Sequence, residues 1–139
     1  MSQQQLGQGP GNLVPNSEKV DFLAGEDISE GEVVCLETAK GAGSYEILLV
    51  DTDAAATSIV VGVAAEDIAE GAWGEVYVSG YCPKVRTDAG VAVGEPLVPH
   101  DTVAGECDTM AAGQEHLVFA WSLAADDGDY VDAWIIKRF

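Results

Sequence analysis

Short apolar runs separated by turn residues recur along the chain from Lys19 onward. Gly, Pro or Asp-Thr interrupts the sequence about every 8–12 residues, a spacing typical of all-β domains. Several runs alternate apolar and polar positions, as in EVYVSG and YVDAWIIK, which indicates half-buried antiparallel strands. The pattern predicts an all-β fold, a small β-barrel or β-sandwich of short antiparallel strands. Strands are expected over residues 19–24, 32–37, 45–51, 58–65, 74–80, 81–87, 95–99, 115–123 and 129–139.

Residues 1–18, MSQQQLGQGPGNLVPNSE, differ in composition from the rest of the chain. They are rich in Gln, Gly, Pro and Asn and show no strand or helix periodicity. We therefore expect a flexible N-terminal arm (1–18) in front of a β-domain (19–139). Leu6, Leu13 and Val14 are isolated apolar side chains on this arm. The arm is either a tail without a role or a segment that becomes ordered on a partner and uses those side chains as anchors.

One acidic phrase is written twice, as EDISEG at residues 26–31 and EDIAEG at residues 66–71. Gly31 and Gly71 are expected to adopt the positive φ of a tight turn. Ile28 and Ile68 are expected to tuck under these turns, with the acidic side chains in water. Looser variants precede later strands, near residues 88–97 and 124–131. Chance is the alternative, but residues 24–32 and 64–72 share six of nine positions.

The charge balance restricts the possible partners. The chain has 24 acidic and six basic residues, for a formal net charge of −18. Such a surface repels nucleic-acid phosphates and anionic lipid headgroups, so neither partner is expected. Copies of the chain also repel each other, and about 1 M salt, with a Debye length of roughly 3 Å, largely screens that repulsion. We therefore expect a halophilic or marine source; the alternative is an ordinary acidic protein.

The cysteines and the hydropathy favour synthesis in a cytoplasm. Cys35, Cys82 and Cys107 are an odd number and lack CxxC spacing, so we expect buried, reduced thiols rather than disulfides or a zinc site. The N-terminus has neither the basic start nor the apolar segment of a secretion signal. The longest apolar runs are also far shorter than a membrane-spanning helix.

The sequence offers little catalytic chemistry, and we expect neither an enzyme nor a cofactor. His100 is expected in a polar loop after a strand and His116 at the start of a strand, and both lie outside recognisable catalytic motifs. Cys82 is interpreted as a core thiol.

A cation site is considered at the acidic segment near residue 127. Asp126, Asp127 and Asp129 are weak metal candidates through their carboxylate oxygens, although the spacing of a calcium loop is missing. A solvated turn is the other interpretation of these residues.

The Trp and Tyr residues are the remaining candidates for a binding surface. Most lie in predicted strands, where core packing is expected. Trp73 follows the second repeated turn, where burial in a small domain is less obvious. It is assigned either to the core or to a contact with a subunit or partner, since aromatic residues dominate interface energetics. Tyr81 is the second candidate for a subunit interface.

In order and spacing, several segments resemble the capsid cement proteins of tailed (HK97-like) viruses, also called head decoration proteins. Residues 61–64 (VGVA), 75–80 and 89–97 are similar to the family's hVGVA strand, its hxVxhxG strand and its aGxxhxxGdpL segment. AGEDISEGEVVCL (24–36) is similar to the family's opening, and FAWSLAADDGDYVDAWI (119–135) to its closing part. The resemblance covers residues 20–136. The chain departs from the family in its extra polar arm and in Ala120-Trp121, where the family prefers Gly before Val or Ala.

The resemblance implies a structural protein of a bacteriophage or archaeal virus, placed on the capsid exterior. It implies binding to the major capsid protein, stabilisation of the icosahedral shell, and homotrimers at three-fold or quasi-three-fold positions. Leu6, Leu13 and Val14 would then contact the capsid. One alternative is another virion β-domain, such as a head-fibre base or a tail-associated domain. The other is a soluble small-molecule-binding β-barrel, which would need a pocket with convergent polar groups.

Overall fold

The computed structural model describes residues 16–36, 49–51, 60–88 and 90–136. The predicted anchors Leu6, Leu13 and Val14, and most of the strand predicted over residues 45–51, lie outside this part. The strands are β1 (Ser17–Ala24), β2 (Val33–Leu36), β3 (Leu49–Asp51), β4 (Val60–Ala64), β5 (Trp73–Arg86), β6 (Pro96–Pro99), β7 (Cys107–Thr109), β8 (Ala120–Ser122) and β9 (Tyr130–Ile135). A short 3-10 helix covers Glu115–Leu117. The predicted all-β class is confirmed. Within the described residues, no helix has the length and apolarity needed to cross a membrane.

The strands form one curled sheet in the order β1-β3-β2-β4-β5-β9-β8-β6-β7. An additional β1–β5 pairing closes the first five strands into a barrel. The second half of the sheet curls back in turn, because an isolated bridge joins Thr87, just after β5, to Cys107 in β7. All strand pairs are antiparallel except β1–β3. The long strand β5 is therefore shared by both halves of the molecule.

Strand β5 is continuous, whereas the sequence predicted two strands that meet at Gly80. Gly80 has φ 83°. It marks the position where β5 changes partner, since Gly80 lies opposite both Ser17 of β1 and Ile135 of β9. A Cβ atom at Gly80 would lie 2.3 Å from the carbonyl oxygen of Asn16. The glycine therefore permits a close backbone approach within the sheet rather than ending a strand.

Two apolar cores lie on opposite sides of the β2–β4 pair. Val34 and Val61 belong to the core inside the barrel, whereas Val33 and Val63 belong to the core under the second half of the sheet. Because both faces of these two strands are buried, their sequences VVCL and VVGVA are continuous apolar runs rather than alternating ones.

The repeated phrase forms two turns that bind each other, called here the twin turn (residues 24–32 and 64–72). Ile28 and Ile68 form an antiparallel bridge in which each backbone N–H donates to the other's carbonyl at 2.8 Å. The side chain of the aspartate before each isoleucine likewise accepts a hydrogen bond from the opposite turn. Asp67 Oδ1 accepts from the N–H of Glu30 at 2.8 Å, and Asp27 Oδ1 accepts from the N–H of Glu70 at 2.9 Å.

The same reciprocity extends to the glycines that close the twin turn. The N–H of Gly31 donates to the carbonyl oxygen of Ala64 at 2.9 Å, and the N–H of Gly71 donates to the carbonyl oxygen of Ala24 at 2.8 Å. Gly31 has φ 91° and Gly71 has φ 83°, which confirms the predicted positive φ. The prediction that Ile28 and Ile68 tuck under the turns is also confirmed, since both are buried. The phrase is written twice because each copy supplies the hydrogen-bonding groups that the other needs.

Two predictions for the C-terminal half are wrong. The strand expected over residues 115–123 is a 3-10 helix at Glu115–Leu117 followed by the short strand β8, so His116 lies in a helical turn. Strand β7 (Cys107–Thr109) was not predicted. Its sequence CDT is too short to show a period, and only its pairing with β6 defines it.

Candidate interaction surface

Exposed apolar side chains lie side by side on the outer surface of β8 and β9. Trp121 and Trp134 are directly opposed on these strands, so both project from the same face of the sheet. They are 45% and 44% exposed, while Leu123 and Ile136, which directly follow the last residues of β8 and β9, are 46% and 42% exposed. These four residues, Trp121, Leu123, Trp134 and Ile136, are called the apolar face. Tyr81 of β5 lies opposite Trp134 and continues the row of aromatic residues.

The expectation of core packing is wrong for Trp121 and Trp134. Both faces of β9 carry apolar residues, and the smaller Ala133 together with Ile135 fills the inward positions. The sequence does contain a signal for the correct orientation. Asp132 is two residues before Trp134 and therefore lies on the same face, which a buried orientation would not tolerate.

The two residues predicted for a subunit interface lie far apart on the outer side of β5. Trp73, the first residue of β5, is 56% exposed, so core packing within the chain no longer accounts for it. Tyr81 is half-buried and lies eight residues further along, which corresponds to roughly 26 Å of extended strand. Trp73 and Tyr81 therefore belong to two separate surfaces.

Tyr81 is fixed in position by Asp132. Its hydroxyl donates to Asp132 Oδ2 at 3.1 Å. Loss of hydration raises the pKa of Tyr81, and the hydrogen bond to Asp132 and the negative charge of that carboxylate act in the same direction. The phenol is therefore neutral at physiological pH and remains the donor in this bond.

The acidic turn at residues 126–129 uses its carboxylates within the chain. The two oxygens of Asp126 accept from backbone N–H groups at 2.8 and 2.9 Å. Asp127 Oδ1 accepts from the N–H groups of Asp129 and Tyr130 at 3.0 and 2.8 Å, and these bonds lower the pKa of Asp127. Backbone amides thus occupy carboxylate oxygens of Asp126 and Asp127, which favours the interpretation as a solvated turn.

His100 organises the loop in which the sequence placed it. The side chain is buried, and its Nδ1 accepts from the backbone N–H groups of Thr102 and Val103 at 3.2 and 3.1 Å. A nitrogen that accepts two such bonds carries no proton. The proton of the neutral ring is therefore on Nε2, which donates to Asp88 Oδ2 at 3.2 Å.

The His100 tautomer with its proton on Nε2 bears on a cluster of side chains that has the composition of a metal site. Asp88, His100 and Glu106 each place one potential ligand atom within 4.8 Å of the others. A metal at Nε2 would need the lone pair that the proton occupies, and moving that proton to Nδ1 would break both amide bonds. Glu106 in turn directs Oε2 towards Arg86 Nε at 3.7 Å. The tautomer of His100 therefore favours a role of this cluster in loop structure, which leaves the buried Oε1 of Glu106 without a hydrogen-bond partner among the described residues.

The cysteines are buried thiols, as predicted. Cys35, Cys82 and Cys107 form no disulfide. Burial raises the pKa of Cys82 and of Cys107 to about 12. Both groups are therefore protonated at neutral pH, where the thiol is a poor nucleophile.

The basic residues in the described part of the chain are each paired with an acid. Lys19 lies 3.7 Å from Glu75, Lys84 lies 3.7 Å from Glu30, and Arg86 lies 3.2 Å from Glu32. The two lysine pairs, whose side chains are 38–51% exposed, contribute little to stability. Because these three basic side chains are paired with acids, the described part of the chain has no patch of unpaired positive charge that could bind a nucleic acid.

Comparison with known proteins identifies the family. The model of the phage cement protein family matches residues 14–135, which include every strand from β1 to β9. The chain belongs to the phage cement protein family. It is therefore a structural protein of a phage virion, associated with the capsid, and the resemblance seen in the sequence is confirmed.

The structure of this family member is also similar to a solved phage structure. The head fibre gp8.5 N base of bacteriophage phi29 matches with a TM-score of 0.61 and 18% sequence identity, over 87% of this chain and 95% of that chain. At this level of identity the similarity shows a shared fold. The search of curated proteins finds no match.

Proposed function

We propose that this family member binds the outer surface of an icosahedral capsid and stabilises the shell after assembly. The observation that carries the proposal is the family match over residues 14–135. The net charge of −18 supports an exterior position, because an acidic protein inside a head would lie against packaged nucleic-acid phosphates. The major capsid protein is the proposed partner.

The N-terminal arm is the proposed capsid-binding element. Leu6, Leu13 and Val14 are its apolar anchors, and each would contribute about 1.5–3 kcal/mol when fully buried, less the entropy of ordering the arm. The described part of β1 supports a separate role for the arm, since residues 17–23 already pair with β5 along the barrel.

A homotrimer at three-fold or quasi-three-fold positions is the proposed assembly. Trp73 supports a contact with another molecule, because 56% of this large aromatic residue is exposed at the start of a strand. Tyr81 would contribute through a different surface, given its distance from Trp73 along β5. Trimer formation has to overcome the repulsion between three chains of charge −18 each.

Binding to purified shells that lack this protein tests the proposal. The intact chain and a variant lacking residues 2–15 are mixed with shells and separated by sedimentation. We expect the intact chain to sediment with the shells and the truncated chain to remain largely in solution, with an unchanged circular dichroism spectrum. A matched control, Gln4→Ser with Gln5→Ser, should bind like the intact chain. Equal binding by the truncated chain would overturn the role of the arm, and no binding by the intact chain would overturn the cement function.

A head-fibre base is the second candidate, favoured by the fold shared with the phi29 head fibre base. The two candidates differ in copy number. We expect a cement protein in a fixed ratio to the major capsid protein, and a fibre base in a smaller number of copies.

A further inference from the structure

The apolar face is a surface that a soluble chain would ordinarily cover. Trp121 and Trp134 lie opposite each other, and Leu123 and Ile136 extend the face at its two ends. Scattered single apolar residues are common on protein surfaces, but adjoining large ones mark sites of contact. The position where the described chain begins indicates what covers this face.

The described chain begins at Asn16, beside the apolar face. The carbonyl oxygen of Asn16 accepts from the N–H of Tyr81 at 2.8 Å, at the end of the β1–β5 pairing where the described chain begins. Beyond this position the edge of β5 is occupied by β9, since Gly80 and Tyr81 pair with Ile135 and Trp134. Among the described residues, β9 therefore takes over from β1 as the partner of β5 at this point.

Asn16 and the apolar face share one open depression of about 520 Å³. Its lining includes Asn16, Ser17 and Gly80 on one side and Trp134 and Ile136 on the other. Val14 is two residues from Asn16 and Leu13 is three, so they reach at most about 7 and 11 Å from it. Both side chains can therefore reach the depression without any change in the barrel.

The chemistry of residues 1–15 suits this surface. The segment MSQQQLGQGPGNLVP contains no Asp, Glu, Lys or Arg. It can therefore approach a molecule of charge −18 without side-chain repulsion, and its apolar side chains match the apolar face in character. An acidic segment, such as most other parts of this chain would provide, would be repelled.

We propose that residues 1–15 of the same chain fold back over the apolar face in the free protein, with Leu13 and Val14 packed on Trp134 and Ile136. The contact is intramolecular and does not depend on capsid binding. Where the cement function holds, the shell and the apolar face compete for the same aliphatic side chains.

Fluorescence of single-tryptophan variants tests the contact. Trp73→Phe with Trp121→Phe leaves Trp134 as the reporter. Trp121→Phe with Trp134→Phe leaves Trp73, which pairs with Leu23 at the other end of β1 and serves as the control. Removal of residues 2–15 should raise acrylamide quenching of Trp134 and shift its emission to longer wavelength. Quenching of Trp73 should not change.

A second variant keeps the chain length. Leu13→Ser with Val14→Ser should reproduce the effect of the truncation on Trp134, whereas Gln4→Ser with Gln5→Ser should have none. The effect should be the same at all protein concentrations. Unchanged quenching of Trp134 in the truncated chain would overturn the proposal. Protection that disappears on dilution would also overturn it, because the covering segment would then come from a second copy.

Discussion

Replacing Ile68 by alanine tests whether the twin turn supports the barrel. Ile68 is 3% exposed and lies in the barrel core with Phe22 and Val76. Its side chain lies directly on Gly74, where an added Cβ would come within 2.4–2.9 Å of three Ile68 carbons. The backbone on either side of Ile68 is tied to Ile28 by two hydrogen bonds of 2.8 Å, so the site cannot collapse freely around a cavity.

The expected loss follows from this geometry. Truncation of a buried isoleucine to alanine lowers the free energy of unfolding by about 2–5 kcal/mol, and sites that cannot relax lie in the upper part of that range. We therefore expect Ile68→Ala to remove about 3–5 kcal/mol, a large share of the roughly 5–15 kcal/mol that stabilises a typical domain. The near-symmetry of the twin turn predicts a similar loss for Ile28→Ala.

Urea unfolding followed by fluorescence at one fixed, high salt concentration measures the loss. Ile68→Val is the graded control, with an expected cost of about 0.5–1.5 kcal/mol. Val93→Ala, at a side chain that is 66% exposed, should change stability by no more than about 0.5 kcal/mol. A loss for Ile68→Ala as small as that for Val93→Ala, with an unchanged m-value, would refute the structural role of the twin turn.

Three further outcomes are expected. The free energy of unfolding should fall as the pH rises from about 9 towards 12, by up to about 1.4 kcal/mol per pH unit for each buried thiol. The reason is that Cys82 and Cys107 have a pKa of about 12 when folded and release their protons only on unfolding. Cys82→Ala should roughly halve the part of this slope that the two thiols cause, and an identical slope in that variant would contradict the assignment. An equimolar amount of Zn²⁺ should change the melting temperature of the wild type no more than that of His100→Gln, because His100 Nε2 carries a proton. A larger rise in the wild type would support a metal site at Asp88, His100 and Glu106 instead. Sedimentation should show trimers that dissociate at low ionic strength and persist near 1 M salt, because high salt screens the repulsion between chains of charge −18. Trimers whose stability does not depend on salt would contradict this account.

Local pattern was sufficient to predict the fold class and the chemistry of the repeated turns. Alternating runs predicted strands, and the repeated glycines predicted the positive φ of Gly31 and Gly71. These features depend on steric rules that act within a few residues. The reciprocal pairing of Ile28 with Ile68 could not be predicted in this way, because it joins residues forty positions apart and the local pattern carries no information about which turns meet.

The candidate surface was harder to predict than the fold. An alternating pattern shows that a strand has two faces, but it does not show which is buried when both carry apolar residues. In β9 the face with Trp134 carries the largest apolar side chain, yet Val131, Ala133 and Ile135 of the other face fill the core. The sequence signal for the correct orientation was Asp132, which shares a face with Trp134 and marks that face as exposed. The change of partner at Gly80 was hidden for a different reason, since a glycine that admits a close backbone approach is indistinguishable in sequence from one that makes a turn.

Quantitative mass spectrometry of purified particles of the virus that encodes this chain tests the central claim most directly. The measured quantity is the ratio of this chain to the major capsid protein. A cement protein predicts a ratio near one to one or a fixed simple fraction of it. A few copies per particle would instead identify a fibre base or a tail component, and absence from the particles would contradict a role in the capsid.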